Sequence, residues 1–227
     1  MIAVISDIHG NLRALEAVLA EIDRLAPSQV VVGGDLALGG PRPAECIELI
    51  RRRGYTSIRG NTDEWLTKAP ARVTDAISWT ASRLSDDDRQ FLAELPFLWR
   101  QQSAAGDLAV IHATPWSISD VVSVDAAEPL VARVFTEAKA SAVVYAHIHH
   151  AYVREFHGKI LANSGSVGLP FDGDQSAAFI VMRPDSQRWR AEIVRVDYDV
   201  QAAVRDARNT DNPERDRWVQ RITKAAF

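Results

Sequence analysis

Ile2-Ala3-Val4-Ile5-Ser6-Asp7-Ile8-His9-Gly10-Asn11, near the head of the chain, reads as a short apolar strand running directly into polar residues. Four apolar residues without alternation suit a strand buried on both faces. Asn11 is a good helix N-cap. Behind it Leu12, Leu15, Val18, Leu19, Ile22 and Leu25 recur at helical spacing, and Pro27 closes the unit. Gln29 to Val32 is a second apolar run and ends in Gly33-Gly34-Asp35. Residues 43–53 read as a helix closed by three arginines and Gly54, and residues 55–59 as a third strand leading into Gly60-Asn61. Strand, helix, strand, helix, strand is the opening of a parallel α/β fold.

Residues 63–95 break the alternation. They read as a helical insertion, interrupted near Pro70, with Ser85 capping a solvated helix start at Asp86, Asp87 and Asp88. Strands then dominate, at roughly 97–102, 107–112, 141–146, 151–156, 159–163, 176–182 and 188–196, with a hairpin turn at His157-Gly158 and one more helix at 127–138. The tail after Tyr198 is helical, rich in arginine and broken at Asn209 to Pro213. Its arginines read as a solvated face, with an oligomer contact as the second reading. The chain shows no internal repeat and no low-complexity linker. It divides into one domain, residues 1–198, and a C-terminal helical appendage, residues 199–227.

The 227 residues are enough for one substantial core, and 47% hydrophobic with 25% charged residues is ordinary for a globular protein. A net charge of −4 gives no electrostatic footprint for a nucleic-acid polymer or an anionic membrane. A small nucleotide-like substrate stays open, because a metal centre supplies local positive charge inside an acidic protein. The single cysteine, Cys46, lies within a helix, reads as buried and inert, and suits a reducing, cytoplasmic setting. The first residues carry no basic stretch or cleavage site, so a secretory leader is not expected. No run approaches the ~20 apolar residues of a membrane span.

The polar residues at strand ends carry the chemistry. Asp7 and His9 follow the first strand at i, i+2 spacing, which turns both to one side of an extended segment. Asp35 follows the second strand, Asn61 the third, and His112 a later one, while His147 and His149 repeat the i, i+2 spacing after the apolar run Ala142 to Ala146. The carboxyl ends of strands in an open α/β sheet are where sites form. Singly, each residue has a plain reading as a turn, a cap or a structural histidine. Jointly, the order Asp-x-His, Gly-Asp, Gly-Asn, His, His-x-His is too specific for that.

At this point the chain resembles the calcineurin-like metallophosphoesterases, and more closely their small bacterial phosphodiesterase branch. The resemblance spans about residues 1–198. It rests on Ser6 to Asn11, Gly34-Asp35, Gly60-Asn61-Thr62-Asp63, His112, His147-Ile148-His149 and the segment Asn163-Ser164-Gly165-Ser166-Val167-Gly168. It implies two mixed β-sheets packed as a sandwich flanked by helices. It also implies two divalent metal ions, one on Asp7, His9 and His149 and one on Asn61, His112 and His147, bridged by Asp35. Carboxylate, imidazole and amide oxygen suit manganese, iron or zinc, and a water between the two loses its proton near neutral pH to become the nucleophile. The implied function is a phosphoesterase, most readily a phosphodiesterase, acting on a small phosphate ester. The alternative is a non-catalytic protein-binding scaffold on the same fold, as some relatives are. All seven ligands are present, which favours the enzyme. The possibility of a homo-oligomer stays open.

Two departures from the family pattern bear on mechanism. Thr62 stands where many members have a histidine near the leaving group, and threonine is a poor general acid, which favours diesters or stable leaving groups. Asn61 and His112 are then the catalytic-side ligands, and Asp63 or His150 are the remaining proton donors, against plain readings as a helix cap and a surface neighbour. Ala146 stands where glycine is common, which is harmless if its φ is negative and costs ~1 kcal/mol if not. Asn11 reads equally as a phosphate contact or a cap. Of Trp65, Trp79, Trp116 and Phe171, two at most are expected to line a pocket.

Overall fold

Because successive strand side chains point to opposite faces, an uninterrupted apolar strand must feed two cores at once. The computed structural model, which describes residues 1–68, 70 and 72–227, shows this arrangement. One sheet holds β1 (Ile2–Ile5), β2 (Gln29–Val32), β3 (Thr56–Ser57), β9 (Ala177–Pro184) and β10 (Trp189–Val196) in the order β10-β9-β1-β2-β3. The other holds β4 (Leu98–Gln101), β5 (Leu108–Ile111), β6 (Ala142–Tyr145), β7 (Ala151–Phe156) and β8 (Lys159–Ser164) in the order β4-β5-β6-β8-β7. Both are mixed: β1, β2 and β3 are parallel neighbours, as are β5, β6 and β8, and the outer pairings are antiparallel.

On one face, Ala3 and Ile5 of β1 join Val30, Val32, Phe179 and Val181 beneath α1 (Leu12–Leu25) and α2 (Pro43–Arg53). On the other, Ile2, Val4, Val31, Ile180 and Met182 meet Leu108, Val110, Ala142, Val144 and Ala162 of the second sheet. The far side of that sheet presents Ala109, Ile111, Val143, Tyr145 and Leu161 to α6 (Glu128–Ala138) through Val131, Val134 and Phe135. The result is four layers: helix, sheet, sheet, helix. Phe179 is 0% exposed and central to the first core. Phe179→Ala is therefore expected to cost about 3–5 kcal/mol, read as a lower denaturant midpoint at unchanged slope.

The segment after β3 forms α3 (Asn61–Thr67), α4 (Asp75–Ser82) and α5 (Asp86–Glu94). The expected break near Pro70 falls between α3 and α4, where Ala69 and Ala71 lie outside the described residues. Ser85 caps α5 in a reciprocal box with Asp88. β3 is shorter than the expected 55–59, because beyond Ile58 the chain turns and Arg59 N–H bonds Pro96 instead of β2. His157 and Gly158 both take positive φ, as a tight β7–β8 hairpin requires. Cys46 is buried, and burial pushes its thiol well above the usual range.

The tail forms α7 (Val200–Arg208) and α8 (Arg215–Lys224). Ala203, Val204, Ala207, Trp218 and Ile222 pack with Leu169, and Asn212 Nδ2 donates to the Gly39 carbonyl at 2.9 Å. The appendage is thus docked on the loops at the C-terminal ends of the strands. No helix among the described residues is long and apolar enough to cross a membrane.

Candidate metal centre

The loops leaving β1 and β2 are stitched together by backbone hydrogen bonds of 3.0 Å from Asp7 N to Gly34 O, His9 N to Asp35 O and Gly10 N to Leu36 O. This brings Asp7, His9 and Asp35 to one place. The second sheet delivers His112, His147 and His149 from the ends of β5 and β6, and Asn61 opens α3. The seven candidate ligands therefore converge from both sheets at one edge of the sandwich.

The i, i+2 reading needs a correction in its reason. Asp7 and His9 do share a centre, yet their segment is not extended: φ is 52° at Asp7 and 49° at His9. Asp35 (57°), His147 (70°) and His149 (57°) share this left-handed conformation, which is uncommon for any residue with a side chain, though Asp and His tolerate it better than most. Ala146 is not among the positive-φ residues, so its methyl group is unstrained, and the strain lies one residue on.

Each histidine is oriented from behind. His9 Nδ1 donates to Leu38 O at 2.8 Å, His112 Nδ1 to Gly33 O at 2.8 Å, His149 Nδ1 to Leu169 O at 2.5 Å and His147 Nε2 to Ser119 O at 3.1 Å. Such bonds fix the tautomer and leave the other nitrogen with a lone pair facing inward. Those lone pairs meet other acceptors. His9 Nε2 lies 3.2 Å from His149 Nε2, which lies 3.3 Å from Asp7 Oδ1. His112 Nε2 lies 2.9 Å from Asn61 Oδ1, and its ring packs edge-on to His147 at 5.2 Å between centroids. Asp7 Oδ1 is buried without a hydrogen-bond donor. Buried acceptors turned toward one another repel unless a positive charge lies among them. The donor set therefore fits divalent cations.

Asp35 links the halves. Its Oδ2 lies 3.6 Å from His9 Nε2 and its Oδ1 3.5 Å from His112 Nε2, so each oxygen faces a different group. Asp7, His9 and His149 form one set of converging ligand atoms, and Asp7, Asp35 and His112 another, each within 4.8 Å. Titration follows the same division. Burial lowers His149 and His112, but the carboxylates nearby outweigh it and raise both. Burial, then the neighbouring histidine, lowers His9 and His147. Burial pushes the Asp7 carboxyl up, yet His149, His112 and His9 hold it well below the usual range.

Supporting residues complete the cluster. Ser166 Oγ donates to Asp7 O at 2.7 Å and Ser6 Oγ to Asp7 Oδ2 at 2.6 Å, so the segment 163–168 braces the ligand loop. Asp63 is 0% exposed, and its two oxygens accept from the backbone of Asp35, Leu36 and Gly60 at 2.7–3.0 Å. Burial and the Asp35 charge raise its carboxyl to about 6. The geometry makes it a clamp holding Asp35, with no oxygen turned to solvent. His150 is partly exposed and does not line the cavity described below. Asn11 caps α1 through Ala14 N and spends its amide on Gly168 O and Tyr198, so the cap reading accounts for it fully.

A cavity of about 350 Å³ opens onto the ligands. Trp65 and Phe171 line it, while Trp79 bonds Asp211 and Trp116 lies under Arg133 with its N–H on Asp120. Two of the four aromatics thus face the pocket. Its outer wall comes from the tail: Glu214, Arg217, Trp218, Arg221 and Phe227. The sequence reading took the arginines among them as a solvated face, with an oligomer contact as the second reading, and gave the others no role. The signal available was Trp218 and Ile222 at i, i+4, which marks a docked face on a helix otherwise rich in arginine.

Comparison with known proteins agrees with this geometry. Residues 1–186 match a family model described as the calcineurin-like phosphoesterase superfamily domain. An uncharacterized protein of Methanocaldococcus jannaschii is 33% identical over 227 aligned positions, covering 89% of this chain and 90% of that one. The crystal structure of a metallophosphoesterase from Sphaerobacter thermophilus superposes with a TM-score of 0.80 at 27% identity, over 99% of both chains. A hypothetical protein from Pyrococcus horikoshii OT3 shares the fold with a TM-score of 0.83 at 18% identity, over 97% of both.

Proposed function

The chain belongs to the calcineurin-like phosphoesterase superfamily, and from that premise we propose that it is a phosphodiesterase working with two divalent cations. Metal-dependent hydrolysis of phosphate esters is the activity of the family. The finer reading rests above all on Asp35, whose two oxygens face two separate ligand groups. In this reading Asp7, His9 and His149 would hold one cation, Asn61, His112 and His147 would hold the other, and Asp35 would serve both. Manganese, iron and zinc all suit this set. When bound, the cations lower the pKa of water and neutralise charge on the phosphoryl oxygens.

The chain's own residues do the rest. The carbonyls of Leu38, Gly33 and Leu169 and the carbonyl of Ser119 keep the four imidazoles in the tautomers that ligation needs. Asp63 fixes Asp35, and Thr62 N–H donates to Asp35 Oδ1 at 2.9 Å. Thr62 stands at the cavity where a protonated histidine would assist a poor leaving group. A hydroxyl with an ordinary pKa cannot do so, which supports diesters or good leaving groups over alkyl monoesters. His150 and Asp63 are not placed to replace it.

Metal-stripped protein given Mn²⁺ is expected to hydrolyse bis(p-nitrophenyl) phosphate at least about tenfold faster than p-nitrophenyl phosphate, a ~1.4 kcal/mol preference. Faster monoester cleavage would overturn the diester reading. No turnover in protein shown to hold two metals would overturn hydrolysis itself.

A further inference from the structure

The α8 side of the cavity is lined by Trp218 and Arg221, whose Nε1 and Nε atoms are covered by protein and have no hydrogen-bond partner among the described residues, so the part a ligand can reach there is the outer end of the half-buried Arg221 guanidinium. Arg221 adds charge. It forms no ion pair among the described residues, whereas its neighbour Arg217 lies 3.6 Å from Glu214, the N-cap residue of α8, which also lines the cavity. Burial and the charge of Arg217 both weigh against the Arg221 guanidinium, which leaves it poorly solvated. Its guanidinium lies 4.4 Å from the Phe227 ring and 5.8 Å from the Phe171 ring. Phe171 in turn stacks on the candidate ligand His149 at 4.5 Å and 13°. Ligand, aromatic plate and cation thus follow one another in successive contact.

The helix that carries Arg221 is held in place. Trp218 is 3% exposed and packs with Leu169, and Gly173 N–H donates to Ala225 O at 3.0 Å just past the end of α8. Gln175 also bonds the Thr223 carbonyl. The same loop, 169–175, that supplies the carbonyl behind His149 therefore anchors the helix.

We propose that α8 forms a second anion subsite, in which Arg221 binds a negatively charged group on the part of the substrate that does not react. This rests on the phosphodiesterase reading for the position of the reacting phosphate. The substrate class is a phosphate ester with a second anionic group separated from the first by a flat or sugar-sized spacer that lies along Phe171. A guanidinium fork suits a phosphate better than a lone charge does. The subsite selects substrate and takes no part in bond cleavage.

Two chromogenic diesters test it: thymidine 5′-(p-nitrophenyl phosphate) with and without a 3′-phosphate, on Mn²⁺-loaded protein. The 3′-phosphorylated ester is expected to have a kcat/KM about tenfold higher, through KM, with the preference falling to about one in Arg221→Met and to an intermediate value in Arg221→Lys. Melting temperatures of both variants establish that the tail is still folded. A preference that persists in Arg221→Met overturns the subsite and leaves the hydrolase reading intact. Binding separates the two readings if neither ester is cleaved. Thymidine 3′,5′-bisphosphate binding about tenfold tighter than thymidine 5′-monophosphate by calorimetry, with the difference lost in Arg221→Met, upholds the subsite, and equal affinities overturn it.

Discussion

Asp35→Asn is expected to remove both bound metal and hydrolysis. Neutralising a carboxylate whose oxygens face both proposed cation sites would weaken both at once. The loss should exceed the roughly 10–100-fold typical of a residue that only supports a ligand, and fall on the order of 10³-fold. The substitution is clean in its geometry. Asparagine keeps the shape, tolerates the φ of 57° at this position, and retains a carbonyl oxygen for the Thr62 N–H. Metal content by elemental analysis and kcat/KM should therefore fall together in a protein that still folds. A variant with a full metal load and full rate would refute the bridging role.

Gly60→Ala is expected to be nearly as damaging without replacing any candidate ligand. Gly60 sits in extended backbone, so no special φ is at stake. What matters is proximity: a Cβ there would lie 2.1 Å from Asp35 Oδ1 and 2.5 Å from Asp35 N. Neither atom can yield easily. Oδ1 is fixed by Thr62 N–H, and Asp35 N is bound to Asp63. The methyl group must push the bridging carboxylate aside, and a misplacement near 1 Å can cost about 10²-fold in rate. A higher Mn²⁺ concentration for half-activation should accompany the slower rate. Wild-type kinetics in Gly60→Ala would show that Asp35 has freedom the packing does not suggest.

The layers were legible because strand burial leaves a mark that needs no three-dimensional information. Ile2 to Ile5 and Val30 to Val32 have no polar residue to turn outward, so a second sheet or helix layer had to cover each face. The candidate ligands were legible because four of the six histidines, His9, His112, His147 and His149, fall just after strands, in company with Asp7, Asp35 and Asn61. Three features were hidden. The Asp63 clamp depends on two loops that meet only in the folded chain, so sequence left it between a helix cap and a proton donor. The turn of the ligand backbone into the left-handed region is invisible in Asp-x-His, which reads equally well as extended. The wall formed by α8 is set by long-range docking onto Leu169 and Gly39; Trp218 and Ile222 mark the face that docks, but nothing in the sequence says what it docks against.

The left-handed backbone at Asp7, His9, Asp35, His147 and His149 also bears on how such a chain changes over generations. Each position holds a side chain where glycine would be relaxed, at a cost on the order of 1–3 kcal/mol. Mutational drift toward glycine at any of the five would thus make the fold more robust while erasing its chemistry. Fold stability alone therefore does not account for the side chains at these five positions.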